Sequence, residues 1–448
     1  MPTVLHLNKE DIDTPEKRAG YTISLVGCGQ KAISYALAFA ETGFKVKCVD
    51  EDQSVTRRLS RGYLRLRDSE TEKRLKQFAR TEQISATSDL KAAASASDII
   101  VLTIDVKVDD KKCADYSEIL NVCKQLGASL RKDGLVIYAG AGGFGLTETV
   151  IKENLENTSG LRAGDDFGLA YSRTVATEKG RLMLKEIQVA ANDKASLDSA
   201  ALIFEVIAEK GVTRTSGIKI AELASLVAAV RRDSTVALAN ELAIFCEAAG
   251  VDYFEMVKLL NNSRENGFSP TISEETSRNE AYIMLENGDN LNVKLRLLAT
   301  ARQVNEIAVR HAINLTQDAL HSIGKPLRRA RMAVLGSSLE PGTASLVFVE
   351  TLETRGSKVA RYDPFSPEKG LTKEGDSVKR TLNEAAEGAD CVVVLSEDEQ
   401  FKRLNLKKLH TIMKSPAAFV DLTNQFDPKN IEQAGFIYRG LGKGVWKK

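Results

Sequence analysis

The chain has 448 residues, of which 43% are hydrophobic and 27% charged, and 62 Lys+Arg against 61 Asp+Glu leave a formal net charge of +1. That is an ordinary globular composition, long enough for two to four domains at roughly 100–200 residues each. It excludes a collagenous, disordered or membrane-spanning chain, since no apolar run approaches the ~18 residues of a span, and a charge so close to balance gives no electrostatic footprint for nucleic acid or a membrane surface.

Residues 1–20 are polar and mixed in charge, without the apolar core of a signal peptide, and read as a loosely packed lead-in to a cytoplasmic protein. YTISLVGCG follows as a short buried strand that stops at glycine, KAISYALAFAETG as a helix ending at Gly43, and KVKCVD as a second strand. Strand, Gly-rich turn, helix and strand within about 30 residues is the pattern of a βαβ unit. SDIIVLTID (97–105) and GLVIYAG (134–140) are further strands, each followed by a helical pattern, and FGLAYS and EIQVAAN read as later strands of the same parallel sheet.

From about 197 the pattern turns helical. Two long stretches dominate, an Ala/Leu-rich one at 218–250 and another at 295–324. Helices of that length are better stabilised against a partner than alone, so a homodimer through the 218–250 helix is expected, with burial inside its own chain as the alternative. At 331 strands and helices alternate again: RMAVLGSS, KVARYDP, DCVVVLS and AAFVDLT are strands of a smaller α/β domain. The expected fold class is therefore α/β, two Rossmann-like doubly wound domains joined by a helical middle domain. The boundaries read as 1–20, 21–205, 206–325 and 326–448.

Gly27-Cys28-Gly29-Gln30-Lys31-Ala32 fits a dinucleotide fingerprint with alanine at the third position. Gly27 permits the tight turn, Gly29 lets the backbone approach a pyrophosphate, and Ala32 keeps the helix close to the sheet. The anion then sits on the helix N-terminus, where free N–H groups and the helix dipole favour it. Asp50 ends the second strand where an acid accepts the ribose hydroxyls, and with Glu51 and Asp52 it opposes a 2′-phosphate, so NAD is the expected cofactor over NADP. Thr103, at the end of the 97–105 strand, completes the expected cofactor set. The six cysteines (28, 48, 113, 123, 246 and 391) contain no C-x-x-C pair and the four histidines show no ligand spacing, so no zinc site is expected.

Several stretches, in order, resemble the UDP-glucose/GDP-mannose dehydrogenase family. They are VGCGQKAISYALAFAETGFKVKCVD, the helix IAELASLVAAVRRDSTVALANELAIFCEAAGVD with Arg231 and Asn240-Glu241, ARQVNEIAVRHAI, ADCVVVLSEDEQFKRLNLKKL and FVDLTNQFDPKNIEQAGFIYRGLGKG. The resemblance covers about residues 21–445 and implies oxidation of a nucleotide sugar's C6 alcohol to a carboxylate by two NAD⁺ in succession. A cysteine thiolate forms a thioester in the second step, and a lysine and an asparagine on the central helix steady the oxyanion. It also implies a C-terminal domain that binds the UDP of a nucleotide sugar.

The chain departs from the family where that chemistry resides. Where the family has a Gly-rich His-Cys element, this chain has ENGFSPTISEETSRNEAYIMLENGDN, without such an element, and no cysteine lies between Cys246 and Cys391. The Tyr-Ser-Pro-Glu motif reads Tyr171-Ser172-Arg173-Thr174, the lysine and asparagine fall at Ser225 and Ala229, and the cofactor-side Ser-Thr falls at Gly140-Ala141. The substrate-gripping segment reads Glu340-Pro341-Gly342-Thr343-Ala344-Ser345. Cys246 and Cys28 are candidate replacement thiols but read better as core and turn residues. Catalytic residues are thus not assigned. Tyr171, Ser172, Arg231, Asn240 and Asn305 are the candidate nucleotide-sugar contacts, with Arg173, Arg232 and Glu241 beside them. Three functional readings stay open: an inactive or regulatory family member, an NAD-dependent oxidoreductase with a rebuilt site, and a heterodimer partner of an active paralogue.

Overall fold

The computed structural model describes residues 4–63, 69–178, 181–260, 269–272, 278–336, 343–364 and 378–444. The chain forms two compact units, Met1–Ala229 with Asn279–Lys294, and Val230–Arg278 with Leu295–Lys448. No described helix is long and apolar enough to cross a membrane.

The strands of the first unit are β1 (Thr22–Val26), β2 (Lys45–Val49), β3 (Ile84–Thr87), β4 (Ile99–Leu102), β5 (Lys107–Val108), β6 (Ala114–Asp115), β7 (Leu135–Tyr138), β8 (Gly168–Glu178), β9 (Arg181–Ala191) and β10 (Val212–Thr215). Eight of them make one sheet in the order β10-β9-β8-β7-β4-β1-β2-β3, while β5 and β6 pair as a separate small hairpin. IIVL and LVIY, in β4 and β7, are buried at every residue, as a strand covered on both faces must be. Alternate residues feed opposite faces: Ile23, Leu25, Ile99, Val101, Leu135 and Ile137 pack into one core, and Val26, Ile100, Leu102, Val136 and Tyr138 into the other. The Gln30–Glu41 helix presents Ala32, Ile33, Ala36, Phe39 and Ala40 to the first of these cores.

Three features differ from the sequence reading. The sheet is not wholly parallel, because β9 runs antiparallel to β8. EIQVAAN reads as a buried strand in either direction, so its composition does not carry its sense. Val212–Thr215, assigned by sequence to the helical stretch, pairs in parallel with β9 as the sheet's outermost strand. Its two middle residues are exposed, which removes the apolar signal. The lead-in is packed rather than loose from residue 4 onward: Leu7 and Ile12 are buried, the Leu7 N–H donates to Ser199 Oγ at 3.1 Å, and Ser199 Oγ donates to the Leu5 carbonyl at 2.7 Å.

The second unit carries β11 (Arg331–Leu335), β12 (Lys358–Tyr362), β13 (Cys391–Val394), β14 (Ala417–Asp421) and β15 (Phe436–Gly440), all parallel, in the order β12-β11-β13-β14-β15. The strand order reverses between β11 and β13, as in doubly wound folds. The expected helices at 218–250 and 295–324 are Ile218–Ala249 and Arg296–Ser322. The first runs 32 residues without Gly or Pro and stops at Gly250, which takes the left-handed φ of 72° that ends many helices.

A buried polar network ties these two helices together within the second unit. Asp233 pairs with Arg302, and their side chains are 2% and 6% exposed. Asn305 Nδ2 donates to the Asp233 carbonyl and to Asp233 Oδ1, both at 3.0 Å. Asn240 Nδ2 donates to Asn305 Oδ1 at 3.0 Å and to the Thr271 carbonyl at 3.1 Å, while Asn240 Oδ1 accepts the Thr271 N–H at 2.8 Å. Further along, buried Glu247 accepts the Gly442 N–H at 2.7 Å and bonds His311 Nε2 at 2.9 Å. Lys443 pairs with buried Asp252 at 2.8 Å, so residues 442–443 are fastened to the end of the long helix.

Removing one member of a buried charge pair leaves the other without compensation, at a cost of about 3–5 kcal/mol. Arg302→Leu is expected to lower unfolding stability by that amount, and the Asp233→Asn/Arg302→Leu double variant to recover a large part of it. Urea denaturation of the three proteins measures both.

Candidate functional site

The Gly-rich turn leaves β1 at the point where the strand order of the first sheet reverses, between β1 and β4, where doubly wound folds bind ligands. Gly27 has φ 90°, and a Cβ there would lie 2.9 Å from Ile104 Cγ1. Gly29 caps the Gln30–Glu41 helix without a side chain to fill the cap, and nothing lies within 4 Å of where its Cβ would be. The first N–H groups of a 12-residue helix are therefore approached through open space, which suits an anion.

The turn is held from three directions. Thr103 Oγ1 donates to the Val26 carbonyl at 3.0 Å and the Gly27 carbonyl at 2.6 Å. Asp50 Oδ2 accepts the Cys28 N–H and Oδ1 the Asp52 N–H, both at 2.9 Å. Lys31 Nζ bonds Asp105 Oδ1 at 2.9 Å, and the same oxygen accepts the Ala141 N–H at 2.6 Å. The expected set of Gly27, Cys28, Gly29, Gln30, Lys31, Ala32, Asp50 and Thr103 is thus brought to one place. Thr103 acts on the turn's backbone carbonyls, and Asp50 retains lone pairs for further donors. Glu51 accepts from Asn121 Nδ2 at 3.0 Å and Gln125 Nε2 at 3.1 Å, and Asp52 caps the Gln53–Ser60 helix, so all three acids are fixed at the end of β2.

None of the thiols with a resolved shift is activated. Cys28 is buried, and hydrogen bonding with Cys48, then burial, hold its thiol well above the ordinary range. Burial pushes Cys123 up to about 12 and also raises Cys246, which packs with Ala239, Ala243 and Tyr253.

Beyond β7 the chain passes Gly140-Ala141-Gly142-Gly143, and Tyr138 packs against the first and second of these glycines. Its ring is fully buried, and its hydroxyl donates to the Ile104 carbonyl at 3.2 Å. A Cβ on Gly140 would run into that same carbonyl oxygen and stand 2.7 Å from the Tyr138 ring, and one on Gly142 would meet Leu146 and the Tyr138 hydroxyl, the latter at 2.8 Å. A serine at 140 has no room here. The loop is further held by Asn287, whose Oδ1 accepts the Phe144 N–H at 2.8 Å from the Arg278–Asn290 helix.

Glu222 lies across from this loop within the first unit. Its carboxylate accepts the Gly145 N–H at 2.7 Å, the Thr147 N–H at 2.8 Å and Thr147 Oγ1 at 2.7 Å. Burial nevertheless outweighs those donors and raises its pKa. Tyr171 is buried beside it on β8, its ring 6.0 Å from Tyr138. Burial pushes Tyr171 up to about 12. Ser172 is buried near Tyr35, Arg173 and Thr174 are half-buried, and Ala229 is buried on the long helix. The sequence reading placed no role on Glu222, Asp105 or Tyr138.

The remaining candidates belong to the second unit. Asn240 and Asn305 are buried and spend their amides in the helix-linking network, so the structure gives both a packing role in place of the expected substrate contact. Arg231, Arg232 and Glu241 are exposed. At the carboxyl end of β14, Asp421 is buried and accepts the Thr423 N–H at 2.9 Å, Thr423 Oγ1 at 2.8 Å and the Phe426 N–H at 3.1 Å, with its pKa raised by burial. Of the substrate-gripping segment, Thr343 caps the Ala344–Thr354 helix and Ser345 is buried, whereas Glu340, Pro341 and Gly342 lie outside the described residues. Of the stretch that stands in place of the His-Cys element, residues 265–268 and 273–277 also lie outside the described residues.

Comparison with known proteins gives three family matches. The NAD binding domain of the UDP-glucose/GDP-mannose dehydrogenase family matches residues 21–182, its central domain 219–307 and its UDP binding domain 342–428. The cofactor of the first of these domains is NAD. The UDP-N-acetyl-D-mannosamine dehydrogenase of Pyrococcus horikoshii is 26% identical over 94% of this chain and 99% of its own length. The UDP-glucose 6-dehydrogenase of Rhizobium meliloti is 22% identical over the same shares. A solved structure of the Pyrococcus horikoshii UDP-D-ManNAc dehydrogenase aligns with TM-score 0.79, at 24% identity over 95% of this chain and all of that one. The UDP-glucose dehydrogenase of Pyrobaculum islandicum aligns at 0.77, with 20% identity over 94% and 98%. These structures share the fold described above.

Two outcomes check this geometry. Asp50→Ala leaves two backbone N–H groups without their acceptor, so a loss of about 1–3 kcal/mol is expected, together with at least tenfold weaker NAD binding, read by melting temperature and titration. Glu222, raised above its ordinary 4.5, holds its proton more tightly folded than unfolded. Its contribution is full below that pH and is lost as pH rises through the raised value. The stability of the native protein relative to Glu222→Gln should therefore fall as pH rises above 4.5, as followed by urea midpoints.

Proposed function

The chain belongs to the UDP-glucose/GDP-mannose dehydrogenase family, and from that premise we propose that it binds NAD and a nucleotide sugar without completing the family's NAD-dependent oxidation, as an inactive or regulatory member. One observation carries this reading: no cysteine lies between Cys246 and Cys391, so the thioester route has no nucleophile at its usual place. The other family positions agree with it. Ser225 and Ala229 replace the charged and amide donors, Thr174 replaces the carboxylate, and Gly140-Ala141 sit against Tyr138 and Asp105. Loss of one transition-state donor costs on the order of 10²–10³ in rate; here several are missing together with the attacking group.

In this reading the Gly27–Ala32 turn and helix N-terminus hold the pyrophosphate, Asp50 the adenosine ribose, and Thr103 keeps the turn in shape. Bound there, NAD would supply a hydride acceptor. Tyr171 and Ser172 are the proposed nucleotide-sugar contacts of the first unit, and Arg231 is a separate proposed contact of the second. The domain plan is the one read from sequence: an NAD domain at 21–205, a middle domain at 206–325 and a UDP-binding-like domain at 326–448. A cytoplasmic homodimer completes the proposal. It is supported by exposed Ile220, Leu223, Val227, Leu238 and Phe245 along the Ile218–Ala249 helix, the last of them 68% exposed.

The test is a thermal shift and calorimetric titration with NAD and UDP, beside an absorbance assay for NAD⁺ reduction with a panel of UDP- and GDP-sugars. Binding without turnover is the expected result. Reduction with any sugar would replace this reading with the rebuilt-site oxidoreductase. Light scattering should give a dimer, and Leu238→Glu/Phe245→Glu a monomer; a monomeric native protein that associates with an active paralogue would favour the heterodimer.

A further inference from the structure

We propose that Lys31 is a phosphate ligand held in reserve by Asp105, and that this pair sets how tightly the chain holds its dinucleotide. Lys31 is the second residue of the helix that Gly29 caps, in the same turn as the N–H groups that face the pyrophosphate. Its ammonium is turned aside to Asp105 Oδ1 at 2.9 Å, across the path between the turn and the residues that follow β4. The two side chains are 29% and 54% exposed, so water screens the pair and it holds weakly. A pyrophosphate on the helix N-terminus carries two charges against the carboxylate's one, and takes the ammonium from it. Asp105 stays where it is, because the Ala141 N–H donates to the same oxygen at 2.6 Å. The carboxylate therefore acts against the cofactor twice: it competes for Lys31 before binding and stands near a like charge afterwards. The inference rests on NAD occupying the turn, and it assigns to Asp105 a role in affinity that the fingerprint alone does not contain.

The experiment is fluorescence titration of the full chain with NADH at low and moderate salt, for the native protein, Asp105→Asn, Lys31→Met, the double variant and Lys31→Arg. Asparagine keeps an acceptor for the Ala141 N–H while removing the charge. Asp105→Asn should tighten binding about three- to tenfold at low salt, less as salt rises. Lys31→Met should weaken it about tenfold, and Lys31→Arg should stay within about threefold of the native protein. The gain from Asp105→Asn should shrink when Lys31 is already gone, because the competition has been removed. An equal gain in both backgrounds would mean that Asp105 acts by charge alone, and would overturn the latch. So would an unchanged affinity in Asp105→Asn while the native protein binds. Absence of NADH binding in both the native protein and Asp105→Asn would instead overturn the cofactor reading, and the latch with it.

Discussion

The backbone of the turn between Val26 and Gln30 has carbonyls and N–H groups that no strand or helix can satisfy, and the first unit is arranged to meet them. Thr103 takes the carbonyl side and Asp50 the Cys28 N–H. Each comes from the end of a neighbouring parallel strand, which is why the sheet order places β4 and β2 on either side of β1. The result leaves the helix N-terminus facing open space without leaving the turn itself loose. An anion site of this type depends on such rigidity, since backbone donors gain little unless they are already aimed.

Much of this was legible in the residues. Continuous apolar runs such as IIVL and LVIY announce buried parallel strands, and a glycine pair between strand and helix announces the turn. The long helices follow from uninterrupted Ala/Leu spacing that stops at Gly250. What remained hidden has a common cause: it lies in partners far apart in sequence. Asn240 and Asn305 read as polar residues available to a ligand, and only the fold shows them spent on Asp233 and Thr271. Val212–Thr215 and the antiparallel sense of β9 are likewise set by neighbours in space.

Tyr138 shows how one packing choice reshapes a strand end. A buried phenol whose hydroxyl reaches the Ile104 carbonyl requires volume, and that volume is provided by glycine at 140 and 142. Side chains that could face a ligand from those positions are excluded by sterics alone. This end of the sheet is thus organised around tyrosine packing and the Glu222 carboxylate.

The fastening of Gly442 and Lys443 to Glu247 and Asp252 joins positions almost two hundred residues apart. During synthesis the long helix would emerge early, with a buried carboxylate and an apolar flank still awaiting their cover. The five-stranded sheet gains its last strand only at Phe436–Gly440. This half of the molecule therefore cannot close until residues 436–443 have been made, and its nascent form must be shielded over that interval.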